Sequence, residues 1–456
     1  MRQVADFRKK LLFLATALAL PVALAGCAAS GGGLPQNPRP VTSTPPGFSA
    51  DTFSREGLIR GATATEAGCR ALPDGLWAVA GSRRECIRYA AAGLERPGAT
   101  ALVYVPGDPE GASYRFAGGR AFVDQLSEHY ELTAETRRGE AEALNGVTGG
   151  IPVILLARPG MHGSSGDHAQ DRQTEAEVQL ISEALTQLRQ RFGFKDFAAF
   201  GFSSGGVVVA NLLARRADIR CAVVASAPLD LAEFYQSPRE GVVPDIYALR
   251  GGLADPMRSV SSIRTDATVF VIGDRGDRTV PASAWQHWAA AARRRSPYVH
   301  VAETAGFDRP ELGGTATHHQ TTSRGMEVAQ ACAAGEPAER VQRALLADEP
   351  LIVPSGRRLG GAEIRAAFLG HRMRGTEWFP KVDVSSYWGQ NGALYHYDLR
   401  RPERRIAELR WWVEGDRLCT SRRGCGQVLS DGRFLQVVTG SPTRLSATFI
   451  VPSAGS

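Results

Sequence analysis

The sequence carries little net charge for its length. Its 53 Lys and Arg stand against 47 Asp and Glu, a formal +6 over 456 residues. In residues 1–26, Arg2, Arg8, Lys9 and Lys10 face only Asp6, so that segment carries +3 and the remainder +3. No stripe of Lys and Arg interleaved with aromatics occurs, so nucleic acid is not expected as a partner. No internal repeat is present, which excludes a solenoid or propeller. The strongly apolar run at residues 11–20 is too short to cross a bilayer as a mature helix. Cysteine is scarce, with seven residues, and none pairs with histidine at zinc-site spacing. With 43% hydrophobic and 22% charged residues, the chain is not disordered as a whole. Its length is that of two or three domains.

What is present begins with a processing segment. Arg8-Lys9-Lys10 forms a positive start, the apolar run of 11–20 follows, and Leu24-Ala25-Gly26-Cys27 ends it. This segment resembles a bacterial lipoprotein signal peptide with its lipobox. The resemblance implies cleavage before Cys27 and acylation of its thiol, so residues 1–26 are a leader. A multiply acylated Cys27 holds a chain firmly to one leaflet, at about 0.8 kcal/mol per buried methylene. Ala28 follows in place of Asp, which by resemblance to known sorting signals implies the outer membrane of a two-membrane cell. Residues 27–52 are rich in Gly, Pro, Ser and Thr and read as a flexible tether. Export places the remaining cysteines in an oxidising compartment. Cys69, Cys86, Cys221, Cys332, Cys419 and Cys425 allow fifteen pairings. Proximity favours Cys69 with Cys86 and Cys419 with Cys425, leaving Cys221 for Cys332. Buried free thiols at Cys221 and Cys332 are the alternative.

From residue 75 strands and helices alternate. Residues 76–80 and 85–90 suggest an antiparallel pair. Continuous apolar runs at 101–105 and 151–157 suit strands covered on both faces. Further strands are expected at 197–200, 222–225, 268–272 and 298–302. Helical spacing marks 121–130, 174–191, 206–215, 283–294 and 325–333. The expected fold class is therefore α/β, a mostly parallel sheet between helices over residues 53–345. Between 228 and 265 four prolines break the pattern, where such sheets often carry a lid. After about 350 the runs become short and aromatic, with an expected helix at 359–369, so 350–456 reads as a small β-rich domain.

One constellation carries chemistry. Phe197-Ala-Ala-Phe200 runs into Gly201-Phe202-Ser203-Ser204-Gly205-Gly206 and then a helical segment. This is G-x-S-x-G in the context of strand, tight turn and helix. Glycines on either side let strand and helix approach, and the helix start aims backbone N–H groups at the site. A serine hydroxyl needs a base, and the base an orienting acid. Downstream, Gly273-Asp274-Arg275-Gly276-Asp277-Arg278-Thr279-Val280-Pro281 offers the acid and Thr317-His318-His319-Gln320 the base.

These motifs over residues 75–335 resemble the α/β-hydrolase superfamily, in its dienelactone-hydrolase-like and prolyl-peptidase-like branches. The resemblance implies Ser203 as nucleophile, Asp277 ahead of Asp274 as the acid, and His319 slightly ahead of His318 as the base. It implies the backbone N–H of Ser204 as one oxyanion donor. Pro106-Gly107-Asp108-Pro109 is similar to the family's His-Gly-X turn with Pro in place of His, which implies the N–H of Asp108 as the second. Arg158 to Gly166 is similar to a cleft wall, with Arg158 structural as the alternative. His162 and His168, on the loop after the 151–157 strand, read as solvated positions with lining of the pocket as the alternative, and His129 and His287 as helix positions at the surface or in packing. Neither a metal nor a cofactor is implied. The implied activity is cleavage of a carboxylic ester in a small-molecule or peptide substrate. A peptidase, an acyltransferase on the same triad and a non-catalytic binding lipoprotein are the alternatives. In the C-terminal region Trp388, Trp411 and Trp412 suit either a core or a stacking surface.

Overall fold

A computed structural model describes residues 53–451 apart from 110, 127–129, 131–132, 149, 238–250, 307–316, 350, 352–355, 379–380, 398–403, 433 and 440–443. The expected leader, the tether with Cys27, His129 and much of the expected lid lie outside the described residues. The first ten strands are β1 (Gly75–Ala80), β2 (Arg83–Ala92), β3 (Thr100–Val105), β4 (Ser113–Ala117), β5 (Arg120–Gln125), β6 (Val153–Leu156), β7 (Asp196–Phe202), β8 (Ile219–Ala225), β9 (Thr268–Gly273) and β10 (Val299–Glu303). Eight of them form one sheet in the order β1-β2-β6-β3-β7-β8-β9-β10. The junctions β1–β2 and β2–β6 are antiparallel and every later one is parallel. That order and those directions define the α/β-hydrolase fold.

The apolar runs are explained by helices on both faces of the sheet. Glu175–Phe192, Ser204–Leu213 and Ala282–Arg295 pack one face. Ala134–Val147 and Thr322–Ala334 pack the other. Glu175–Phe192 shows the local logic. Thr174 accepts from the Glu177 N–H at its start, and Gly193 at φ 68° ends it in the left-handed region. Val178, Leu180, Ile181, Leu185 and Leu188 are wholly buried between these ends. Their burial contributes about 10 kcal/mol gross, before chain entropy.

One expected helix is a strand. Residues 121–130 have helical spacing, but Arg120–Gln125 pairs antiparallel with β4 as a two-stranded hairpin. Gly118 and Gly119 both have positive φ, 56° and 77°, the conformation a two-residue hairpin turn demands. That turn outweighs the weak helical period after it. The helix Ala134–Val147, capped by Thr133, has no counterpart among the expected elements.

The C-terminal region holds β11 (Arg357–Arg358), the helix Gly361–Phe368, and then β12 (Arg372–Trp378), β13 (Lys381–Trp388), β14 (Ala393–Tyr397), β15 (Arg405–Glu414), β16 (Arg417–Thr420), β17 (Gly424–Ser430), β18 (Phe434–Thr439) and β19 (Arg444–Ile450). They form one antiparallel sheet that a β17–β18 pairing closes into a barrel. Phe368 enters it from the helix, edge-on to Trp388 at 4.6 Å, and Trp388 meets Trp411 edge-on at 5.5 Å. Trp388 and Trp411 are core residues, whereas Trp412 is 44% exposed. The barrel shares apolar packing with the first domain. Val438 and Leu445 join the cluster beneath Ala134–Val147, and Gly146 lies so close to the Phe434 ring that a Cβ there would come within 2.4 Å.

The six cysteines form Cys69–Cys86, Cys221–Cys332 and Cys419–Cys425. Cys221–Cys332 joins β8 to the helix Thr322–Ala334, which carries the chain on from the histidine segment.

Candidate active site

The site begins at the end of β7. Every residue of β7 is buried, and the Ser203 N–H still donates to Ala225 O on β8 at 2.8 Å, as a strand residue would. Its carbonyl already accepts from the Gly206 N–H at 2.9 Å, as a helix residue would. The chain must change direction at this one residue, and Ser203 adopts φ 52°, ψ −127°. Such a backbone costs about 1–3 kcal/mol and persists only where its surroundings impose it. The flanking glycines make the bend possible. A Cβ on Gly201 would lie 2.5 Å from Gly205 O, one on Gly205 2.3 Å from Val105 O, and one on Gly206 2.4 Å from Ala227 Cβ. Ser204 opens the helix Ser204–Leu213, so its N–H has no acceptor within the helix.

The acid and the histidines lie at the ends of β9 and beyond β10. Asp277 is buried. Its Oδ1 accepts from the N–H groups of Thr279 at 2.8 Å and Val280 at 3.0 Å. Its Oδ2 accepts from Nδ1 of the buried His319 at 2.7 Å. The Arg278 N–H donates to Thr317 O at 2.8 Å and ties the two segments together. The adjacent histidines therefore part company. His318, with φ 54° and a side chain 45% exposed, stands 3.5 Å from Asp274. Asp274 instead holds its own turn, accepting from the N–H groups of Gly276 and Gly306, each at 2.7 Å. The His319 ring lies 5.0 Å from that of Phe202, the residue before the serine. Among the described residues no hydrogen bond joins Ser203 Oγ to His319. Catalytic hydrogen bonds are often long without substrate and tighten when it binds.

The loop after β3 reaches the serine from the other side. A Cβ on Gly107 would lie 2.9 Å from Ser203 Cβ and 3.1 Å from Phe202 O, so Pro106-Gly107-Asp108 rests directly on the bend. The sequence pointed only to the backbone of Asp108; its side chain proves to be the centre of a buried ionic cluster. Oδ1 accepts from Arg158 Nη1 at 3.0 Å, His168 Nε2 at 3.2 Å and Ser204 Oγ at 2.6 Å. Oδ2 accepts from Arg172 Nε at 3.0 Å and Nη2 at 2.5 Å. Arg158, wholly buried, also donates to Ser204 Oγ at 2.6 Å and through Nε to Glu177 Oε1 at 2.7 Å. Arg172 stacks on Tyr114 at 4.1 Å and donates to Tyr235 Oη at 3.2 Å.

These contacts govern the charges. Burial alone would raise the Asp108 carboxyl, but Arg172, then His168 and Arg158, hold it well below the usual carboxylate range. Burial lowers His168, with Arg158 acting in the same direction against Asp108. His168 is wholly buried and half-buried His162 lies against Tyr130, so neither is the solvated loop position expected from sequence. The loop after β6 folds back under the Pro106–Asp108 turn, which sequence spacing does not reveal. His287 does sit in a helix, 3.0 Å from Asp230. Glu414, Cys419 and Cys425 lie together and are metal-binding residue types, but the two sulfurs are joined and offer no thiolate.

Fold and site together define a chain of the α/β-hydrolase fold with a serine at the strand–helix bend and a histidine–aspartate pair beside it. No family model matches the sequence, and no curated protein is significantly similar to it. Among solved structures it is similar to an esterase of Pyrococcus furiosus, with 16% identity over 50% of this chain and 80% of that one, at a TM-score of 0.35. It is also similar to an acylaminoacyl peptidase of Pyrococcus horikoshii, with 11% identity over 59% and 43%, at 0.40. A third likeness is to Est1E of Butyrivibrio proteoclasticus, with 12% identity over 58% and 99%, at 0.35. At these identities and scores the likenesses carry no chemistry to this chain.

Proposed function

We propose that the protein is a serine hydrolase that cleaves a carboxylic ester through an acyl-enzyme. The observation that carries this reading is the strained bend at Ser203, preceded by Phe202 whose ring lies 5.0 Å from that of the buried His319, with His319 Nδ1 bonded to a fixed Asp277. His319 Nε2 takes the proton from Ser203 Oγ as that oxygen bonds to the acyl carbon. The carbonyl oxygen becomes an oxyanion against the N–H groups of Ser204 and Asp108. Collapse breaks the bond to the leaving alcohol, which receives the proton from His319. Water then repeats both steps and releases the acid. Asp277 keeps the imidazole in the tautomer that presents Nε2 as acceptor. His318 has no part in proton transfer, because its ring is engaged at the outer turn.

The leader motif adds a location. Acylation at Cys27 would anchor the enzyme to an envelope membrane, the outer one in a two-membrane cell. Two measurements test the reading. A fluorophosphonate probe should label the wild type and leave Ser203→Ala unlabelled; equal labelling ends the assignment. Labelled palmitate should enter the wild type in bacteria and be lost in Cys27→Ala.

A further inference from the structure

The turn proposed to donate to the oxyanion carries a carboxylate, which is a poor neighbour for developing negative charge. Asp108 follows Gly107, the residue resting on Ser203, and its side chain is 17% exposed. Left alone, that carboxylate would oppose charge on the substrate oxygen and would prefer to turn toward water. Two guanidinium groups prevent both. Arg172 grips Oδ2 through two nitrogens, and Arg158 holds Oδ1 together with the Ser204 hydroxyl. Ser204 is itself the residue after the nucleophile. The cluster thus links the two backbone segments on which the oxyanion would rest, through the side chains of Asp108, Arg158 and Ser204.

Charge within it is balanced. Asp108 and Glu177 face Arg158 and Arg172, and burial favours neutral His168. Buried ion pairs seldom add net stability compared with apolar packing, so stability alone is a weak reason for such a cluster. Its place against the bend supplies another reason.

We infer that Arg158 and Arg172 are positioning residues: they neutralise the Asp108 carboxylate and pin the Pro106–Asp108 turn to Ser204, so that both oxyanion donors keep their place and meet no opposing charge. The inference rests on the serine-hydrolase reading and goes beyond it in giving the arginines a role in the rate. Arg172 is the better one to perturb, because Arg158 is wholly buried and also holds Glu177.

The test is the rate of phosphonylation of the full-length protein by a fluorophosphonate, which also places negative charge on an oxygen at this site and needs no natural substrate. Arg172→Met should lower the limiting rate of inactivation about 10- to 100-fold with little change in the apparent affinity for the probe. Adding Asp108→Asn to Arg172→Met should restore at least half of that loss on a logarithmic scale, since no unpaired carboxylate remains. A merely structural role predicts the reverse, a smaller labelled fraction with an unchanged rate and a double variant worse than the single. A wild-type rate in Arg172→Met, or a double variant no faster than the single, overturns the inference. Should Arg172→Met fail to fold, Arg172→Lys decides, because it keeps the charge without the fork. A limiting rate lowered about threefold or more supports the inference, because the charge stays while the two-point grip is lost, and a wild-type rate, or an unchanged rate with a smaller labelled fraction, overturns it. A wild-type protein that does not label at Ser203 ends the hydrolase reading itself, which is a separate result.

Discussion

Gly205→Ala should damage the rate more than the fold. The methyl group would arrive 2.3 Å from Val105 O and 2.4 Å from Pro106 O, both backbone atoms at the start of the turn that rests on Ser203. Ordinary contact needs about 1 Å more, so strand end or helix start must move by that amount. Overpacking of this kind costs about 1–3 kcal/mol, and alanine returns up to about 1 kcal/mol as the better helix former. The net loss is about 1–2 kcal/mol, or a few degrees in Tm for a chain of this size. A displacement of about 1 Å at a reacting centre, by contrast, costs about 100-fold in rate. Gly206→Ala is the control, since its methyl would meet the Ala227 side chain at 2.4 Å and not the Pro106 turn. Fluorophosphonate inactivation rates and thermal melts of both variants supply the comparison. Equal rate losses in the two, or a wild-type rate in Gly205→Ala, would refute the claim that this contact sets the oxyanion turn.

Three further outcomes follow from the same coordinates. Asp277→Asn should keep the fold but lower phosphonylation by about 10⁴-fold, because the amide can donate to Nδ1 and favours the wrong tautomer; a rate within tenfold of wild type removes Asp277 from the mechanism. Replacing both Cys221 and Cys332 by serine opens a link across 111 residues and should cost about 4–5 kcal/mol in urea unfolding, more than the same change at Cys419 and Cys425, which are 6 apart. Acid should destabilise the protein in two ranges. His168 is held below its ordinary pKa of 6.5, so the unfolded chain binds the extra proton and stability falls as pH drops below about 6.5. Asp108 is held well below 3.8, so its contribution is present above that value and is lost only as pH falls through the lowered range. Melts of wild type and His168→Gln between pH 7 and 5 should converge on acidification; parallel curves would exclude His168.

Sequence reading succeeded where one residue type has one physical reason to occur. All eight main-sheet strands coincide with expected segments, apolar runs or alternations that demand burial. Gly201, Gly205 and Gly206 mark a bend that no Cβ could enter. The hairpin β4–β5 is harder to read, because a weak helical period after Gly118-Gly119 competes with the turn that the two glycines make. The helix Ala134–Val147 leaves little periodic signal because its buried apolar side chains, Ala141, Ala143 and Leu144, are few and mostly small.

By itself the sequence determined the layered α/β architecture, the bend at Ser203 and the segments that face it, because these follow from local sterics and from the need to bury apolar residues. Only the tertiary structure sets the ring of His319 on Asp277 and that of His318 near Asp274, since adjacent residues differ only in which neighbour their rings meet. It alone brought Asp108, Arg158, His168, Arg172 and Ser204 into one cluster, because groups 50 to 96 residues from Asp108 leave no period or spacing in the chain that would pair them with it. Pairing them required the sheet to set the ends of β3, β6 and β7 side by side.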